Sequence, residues 1–325
     1  MPGFTTHYIF GMKAYNDMPF TPLKHTIAKY RWLYQLGLQG PDMFFYNIPI
    51  LRHRDYRNVG SYMHEHKVNA FFECCLRRIG TIRSRQQQEE AISYLAGFIN
   101  HYIADSICHP YVYGRIGYPV DAPTSMHHGM HAHLENELDA ILLWKYKKKK
   151  PSEFNQTATI CLNGQEIQFI SHFLASCINE TYYPITYRNN FQVTPAMVHR
   201  SIWALRFGCR TLSDKHGKKK FGIAQVESIF VNHPVASAKM VTDSVTDYRS
   251  SCNLNHEAWS NPWDPTRVST ASFVDLFHET LDKCSRVYAL LNSAVTDNMP
   301  LDKQDLSPLL AELGNESYHS GLPVD

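Results

Sequence analysis

The stretch AISYLAGFINHYIADSICH, residues 91 to 109, constrains the fold more than any other part of the chain. Ile92, Leu95, Phe98, Ile99, Tyr102, Ile103 and Ile107 recur at helical spacing and cover so much of the circumference that this helix must be buried. A buried helix should carry no unpaired ionisable group. Yet His101, Asp105 and His109 stand four apart in single file, each step about 6 Å along the axis on one face. No Lys or Arg lies between residues 86 and 112 to neutralise the carboxylate. Because an uncompensated buried charge costs more than a domain can spare, a cation or a cationic side chain should face this stripe.

A second segment repeats the pattern. In HHGMHAHLENELD, His131, Glu135 and Asp139 are again spaced by four, beside an apolar face of Leu134, Leu138, Ile141 and Leu142. For one such histidine the ordinary reading is a core imidazole hydrogen-bonded to a neighbour. Two matching ladders in a chain with 18 histidines favour metal ligation. Imidazole and carboxylate without thiolate suit zinc in a hydrolytic site, although spacing leaves iron or manganese open.

Periodicity elsewhere is also helical and predicts an all-α protein: a compact multi-helix bundle with a helical C-terminal extension. Expected helices run over about 21–38, 60–80, 86–109, 127–147, 164–182, 194–214, 222–250 and 270–294. Gly40-Pro41, 117–123 and 261–265 are expected breaks, and ATICLNGQEI (158–167) is expected to form a small hairpin turning at Asn163-Gly164. The tail after Asn298 reads as loosely ordered. Since the chemistry-bearing residues nearly all precede residue 150, the expectation is a 1–150 region and a 151–325 helical C-terminal region that either packs on it or is part of the same domain. The run KYKKKK (145–150) reads first as a solvated helix C-terminus complementing the helix dipole, and second as a patch for anionic lipid.

Further candidates lie earlier in the chain: His7 in TTHYIFG, Asp42 in GPDMFFY, and His64 and His66 in GSYMHEH. In LNHEAWSNPWDP, His256, Trp259, Trp263 and Asp264 either wall a cleft or pack the bundle's end. Asp243 and Asp247 read as a polar helix face. Lys and Arg (32) nearly balance Asp and Glu (30), so a net charge of +2 supplies no global pull toward nucleic acid. The scattered eight cysteines suggest neither disulfides nor a thiolate zinc knuckle. With no secretory signal or membrane span in the sequence, the expectation is a soluble cytoplasmic protein.

The ordered set GFTTHYIFGMKA, GPD, MHEH, HYIADSICHP and HAHLENELD, over about residues 1 to 145, resembles the zinc-dependent phospholipase C family, related to the P1-type nucleases. The resemblance implies a helical bundle that holds up to three zinc ions in a cleft and splits phosphate esters. It implies one zinc site from Asp42, His64, His101 and Asp105, and a second from His109, His131 and Glu135. His7, with Asp105 bridging, is left for a third, which in better-known members the free N-terminal residue completes; here six residues precede His7. The positions that cradle choline in the lipase members hold Met43 and Ser61, so phosphocholine specificity does not transfer.

Clustered divalent ions neutralise phosphate oxygens and activate water, and two ions at the usual separation need a bridging carboxylate, for which Asp105 is placed. Asp42, arriving from a separate loop, is the candidate to orient or deprotonate that water. The expected substrate is a phosphate ester, phospholipid first, with peripheral membrane contact. A nuclease or phosphomonoesterase is the alternative, using Phe44, Phe45, Tyr46, Arg52, His53 and Arg54 as a nucleic-acid channel. A non-catalytic protein with structural zinc is the rival from another class. A di-iron bundle needs paired Glu-x-x-His motifs, and only Glu316 to His319 has that form.

Overall fold

In the computed structural model, residues 3–46, 59–188, 192–212, 214, 217–230, 237, 240–243, 245 and 247–325 are described. The helices are α1 (Phe4–Asp17), α2 (Pro22–Lys29), α3 (Arg31–Gly37), α4 (Val59–Glu65), α5 (Val68–Thr81), α6 (Arg85–Arg115), α7 (Ser125–Lys147) and α8 (Gly164–Arg188). They continue with α9 (Pro195–Leu212), α10 (Lys218–Phe230), the single turn α11 (Tyr248–Ser251), α12 (Phe273–Thr296) and α13 (Ser307–Leu313). A 3-10 helix, Gly40–Tyr46, precedes α4, and one antiparallel pair, β1 (Trp259–Asn261) and β2 (Asp264–Ser269), precedes α12. The all-α expectation holds.

Helix α6 is the axis of the molecule, packed by α1, α2, α3, α5, α7, α8 and α12. Ser84 caps its first turn by accepting from the Gln87 N–H. Its residues from Ala91 to Ile103 belong to one apolar cluster, and those from Ala104 to Val112 to a second. The ladder of His101, Asp105 and His109 therefore runs through the seam between two cores. Both clusters mix residues from either side of position 150. At the α3–α6 crossing the backbones touch: a Cβ at Gly97 would stand 2.1 Å from the Tyr34 carbonyl, and one at Gly37 2.1 Å from that of Tyr94.

Several local expectations change. The helix over 21–38 is two, broken at Tyr30, and that over 60–80 is broken at Lys67, which adopts φ +50°. The 158–167 hairpin does not form. Asn163 instead opens α8 with a reciprocal cap, its Oδ1 accepting from the Glu166 N–H while Glu166 accepts from the Asn163 N–H. Of 222–250, the described parts are the end of α10 and α11, with Asp243 in a loop and Asp247 as the cap of α11. The tail is ordered against the core: Leu309, Leu313 and Tyr318 are buried. Pro110 denies α6 one intrahelical N–H, and Gly321 of the tail, at φ +61°, packs over the carbonyl of Ser106, where a Cβ would meet the oxygen at 2.5 Å.

Among the described residues no helix is long and apolar enough to cross a membrane. All eight cysteines are free.

Candidate metal centre

The donors converge from five elements. Gly40, at φ +47°, lets the chain pass flat over the His101 ring, where a Cβ would lie 2.2 Å from a ring carbon, and so delivers Asp42. His64 comes from the last turn of α4, and His101, Asp105 and His109 from α6. His131 and Glu135 project from α7. His7 comes from α1, whose N-terminus is capped from outside by Asp139: its carboxylate accepts from the Thr5 N–H at 3.1 Å and the Thr6 N–H at 2.7 Å. The third member of the second ladder thus positions a candidate ligand instead of joining either group.

Asp42, His64, His101 and Asp105 bring one donor atom each to within 4.8 Å of one another, and so do His109, His131 and Glu135. Asp105 faces two ways. Its Oδ1 is 3.1 Å from His7 Nε2, whereas its Oδ2 is 3.2 Å from His101 Nε2 and 3.8 Å from His64 Nε2. The His7 and His101 rings stack at 4.0 Å. Asp42 Oδ1 lies 3.3 Å from His64 Nε2 and 3.7 Å from His101 Nε2. In the second group His131 Nε2 is 2.6 Å, and His109 Nε2 3.8 Å, from Glu135 Oε1.

Backbone carbonyls fix the imidazoles. His64 Nδ1 donates to Gly60 O at 2.6 Å, His101 Nδ1 to Leu38 O at 3.1 Å, and His109 Nδ1 to Tyr318 O at 2.6 Å. A ring that gives its proton at Nδ1 offers a lone pair at Nε2, the arrangement expected behind a metal ligand. At the converging ends, Asp42 Oδ1, His64 Nε2, His101 Nε2, His109 Nε2 and both Asp105 oxygens make no hydrogen bond, although all five residues are buried. Buried acceptors left without donors are costly, so a cation fits the donor set.

The protonation pattern agrees. Burial would raise the Asp105 carboxyl, but His101 and His7 hold it well below the usual range. Burial would lower His101, but Asp105 and Asp42 beside it raise it instead. Burial lowers His7 and His131. Burial opposes ionisation of Glu135, yet its surroundings, His131 foremost, hold it below the ordinary value. The site is poised to receive positive charge.

The remaining expectations sort as follows. His66 packs on Tyr62 at 4.2 Å and joins neither group. Phe44 and Met43 are core residues, Phe45 packs on His64, and Tyr46 lies against Gly208. Arg52, His53, Arg54 and the first two residues, with the proposed completion of a third site, lie outside the described residues. Trp259 packs the bundle against Tyr111, whereas Trp263 stands with Tyr113 and Tyr118 as an aromatic wall, Tyr113 being 4.4 Å from His131. His256 bonds the Thr270 carbonyl, and Asp264 caps Thr266.

Sequence reasoning missed the tail. The Tyr318 N–H and the Ser317 hydroxyl both donate to His64 O, Tyr318 packs on His64 and Tyr102, and the His319 ring stacks on His64 at 4.9 Å. Burial pushes His319 down to about 4, so it is neutral near pH 7. Its sequence signal was the lone Glu316-x-x-His319; Glu316 itself accepts from the Tyr102 hydroxyl at 2.7 Å.

Neither the curated proteins nor the solved structures contain a match to this chain. A family model described as zinc dependent phospholipase C matches residues 6–186. That range is more than half of the chain and takes in every donor of both groups. The chain belongs to the zinc-dependent phospholipase C family.

Proposed function

We propose that this protein is a zinc-dependent hydrolase that cleaves a phosphodiester in the manner of a phospholipase C, with two or three ions held at the seam. The carrying observation is the convergence of carboxylate and imidazole donors within the family region, the facing atoms of Asp42, His64, His101, Asp105 and His109 making no hydrogen bond. Asp42, His64, His101 and Asp105 would hold one zinc, His109, His131 and Glu135 a second, and His7 with Asp105 would contribute to a third. Bound zinc would supply Lewis acidity, neutralising phosphate oxygens and lowering the pKa of a water.

The chain's own groups do the rest. The opposed oxygens of Asp105 allow it to serve two ions at once, tying the His7 side to the His101 side. Asp42 turns Oδ1 toward the imidazoles. Its other oxygen would orient the attacking water or take its proton. Tyr113 and Trp263 beside His131 would wall the substrate, and His319 over His64 would limit access of bulk water. A purely structural zinc is disfavoured because no cysteine enters either group and the second group offers only three protein donors, the number found in catalytic zinc sites.

Purified zinc-loaded protein should turn over phosphatidylcholine or another phospholipid in preference to single-stranded DNA or p-nitrophenyl phosphate. Preference for DNA would install the nuclease reading, and tight zinc without turnover of any ester the structural one. Asp42→Ala should lose turnover while keeping most bound metal; an unchanged rate would remove Asp42 from the mechanism.

A further inference from the structure

The lysine run at the end of α7 is more than a solvated helix terminus. Lys145, Lys147, Lys148, Lys149 and Lys150 are all exposed, and none lies within ion-pair distance of an acidic side chain among the described residues. The two carboxylates beside them are committed to backbone and hydroxyl donors: Asp243 accepts from the Ser152 N–H at 2.8 Å and the Ser152 hydroxyl at 2.7 Å, and Glu153 accepts from the Lys150 N–H at 2.9 Å. These five lysines outweigh the whole chain's net charge of +2, so the rest of the chain is net acidic and any anionic surface is drawn to patches such as this one.

The second observation is apolar. Trp144 is 55% and Tyr248 44% exposed, at the rim of a cavity of about 510 Å³ whose floor is Ala140, Ile141, Pro151 and Val245. A solvated helix end has no need of an exposed indole or a greasy groove. Aromatic side chains with an apolar body and polar edge, ringed by lysines, match the boundary between lipid headgroups and acyl chains. Lys148, at φ +55°, turns the chain across the end of α7, and Lys145, Lys148, Lys149 and Lys150 line the groove.

We infer that Trp144, Tyr248 and Lys145 to Lys150 form a docking surface for an anionic lipid bilayer, with Trp144 entering the headgroup region. The inference deepens the phospholipase reading and rests on it for its biological sense, though not for its physics. Trp144 lies nine residues beyond Glu135 on α7, about 14 Å along the axis and half a turn round it, so the docking surface is separate from the donor groups.

Cosedimentation of the zinc-loaded full chain with vesicles tests it, because docking is read whether or not any ester is cleaved. Vesicles containing phosphatidylserine should bind about 10²-fold tighter than phosphatidylcholine alone, about three of the lysines reaching the surface at about a tenfold gain for every one or two. The preference should fade at high salt. Trp144→Ser should remove a blue shift of tryptophan fluorescence on binding. Lys148→Glu with Lys149→Glu should lose most of the preference at unchanged hydrolysis of a soluble phosphodiester. Equal partition on both vesicles, or single-stranded DNA bound where vesicles are not, overturns the proposal. Should the double variant fail to fold, the salt dependence of the wild-type chain decides alone. Absence of turnover with vesicle docking intact would sink the hydrolase reading and leave this one standing.

Discussion

The two donor groups use the same residue types and differ in their surroundings. Asp42, His64, His101 and Asp105 lie in the seam between two apolar clusters, at most 5% exposed, and are drawn from three separate elements. His109, His131 and Glu135 sit nearer the surface, with the His131 and Glu135 side chains 12% and 13% exposed, beside the aromatic wall of Tyr113 and Trp263. The deep group is built into the core. The outer group is held by α6 and α7 together with a carbonyl of the C-terminal tail. A deep group should retain its ion and an outer one should exchange it.

The largest effect that separates them is expected from Asp105→Ala. Its carboxylate faces His7, His64 and His101, so zinc should leave the deep group and phosphodiester turnover should fall on the order of 10³-fold, the upper end for removal of a preorganised electrostatic element. Zinc per chain and steady-state rates check it. Retention of full metal content would break the division into two groups.

Gly321→Val comes next. The added side chain would strike the Ser106 carbonyl and Pro110, lifting the tail and taking Tyr318 O from His109. Loss of such an outer partner costs about 10–100-fold in metal affinity. Because His64 takes its Nδ1 partner from its own helix, the outer group should weaken first. Chelator competition resolves the two, and the melting temperature of the zinc-free variant shows whether the fold survived.

Protons should discriminate in the opposite sense. His101 is raised above 6.5 and His131 lowered below it. As pH falls from neutrality, His101 takes a proton first, so apparent zinc affinity should drop at the deep group before the outer one, by up to about tenfold per pH unit. In zinc-free protein the sign for folding follows from the raised value: the contribution of His101 is fully present below 6.5 and is lost as pH rises through the folded pKa. His101→Gln should flatten that slope.

The smallest effect concerns the positioning of His7. Burial raises Asp139 from 3.8 to about 6 despite the N–H groups of Thr5 and Thr6. A raised carboxyl contributes stability below pH 3.8 that is lost as pH climbs toward 6. Asp139→Asn removes the charge and should flatten that slope in chemical denaturation, while its amide NH2, set against one of the Thr5 and Thr6 N–H groups, should cost about 1–3 kcal/mol at low pH.

The residues that were readable in advance are those governed by local periodicity. The files of His101, Asp105 and His109, and of His131 and Glu135, could be read because four residues bring a helix back to the same face. Resemblance then supplied His7, Asp42 and His64, which spacing alone left ambiguous. Asp139 shared the spacing and not the role, since whether a carboxylate meets a metal or a helix end depends on what lies opposite. The KYKKKK run showed its charge in the sequence, but not the exposed Trp144 and Tyr248 that give the charge a groove.

By itself the sequence determined the helical class, the two ladders and the requirement for positive charge between them, because each follows from side-chain type at a fixed helical period. Only the tertiary structure decided that His101 and Asp105 meet Asp42 and His64 in the seam while His109 turns to His131 and Glu135 of the second ladder, that Asp139 holds His7 from the side, and that the tail closes over His64 and His109. The tail's hold on those two histidines rests largely on the peptide carbonyl of Tyr318 and on that of His64. Every residue carries such a group, and nothing in its side chain announces where the fold will place it.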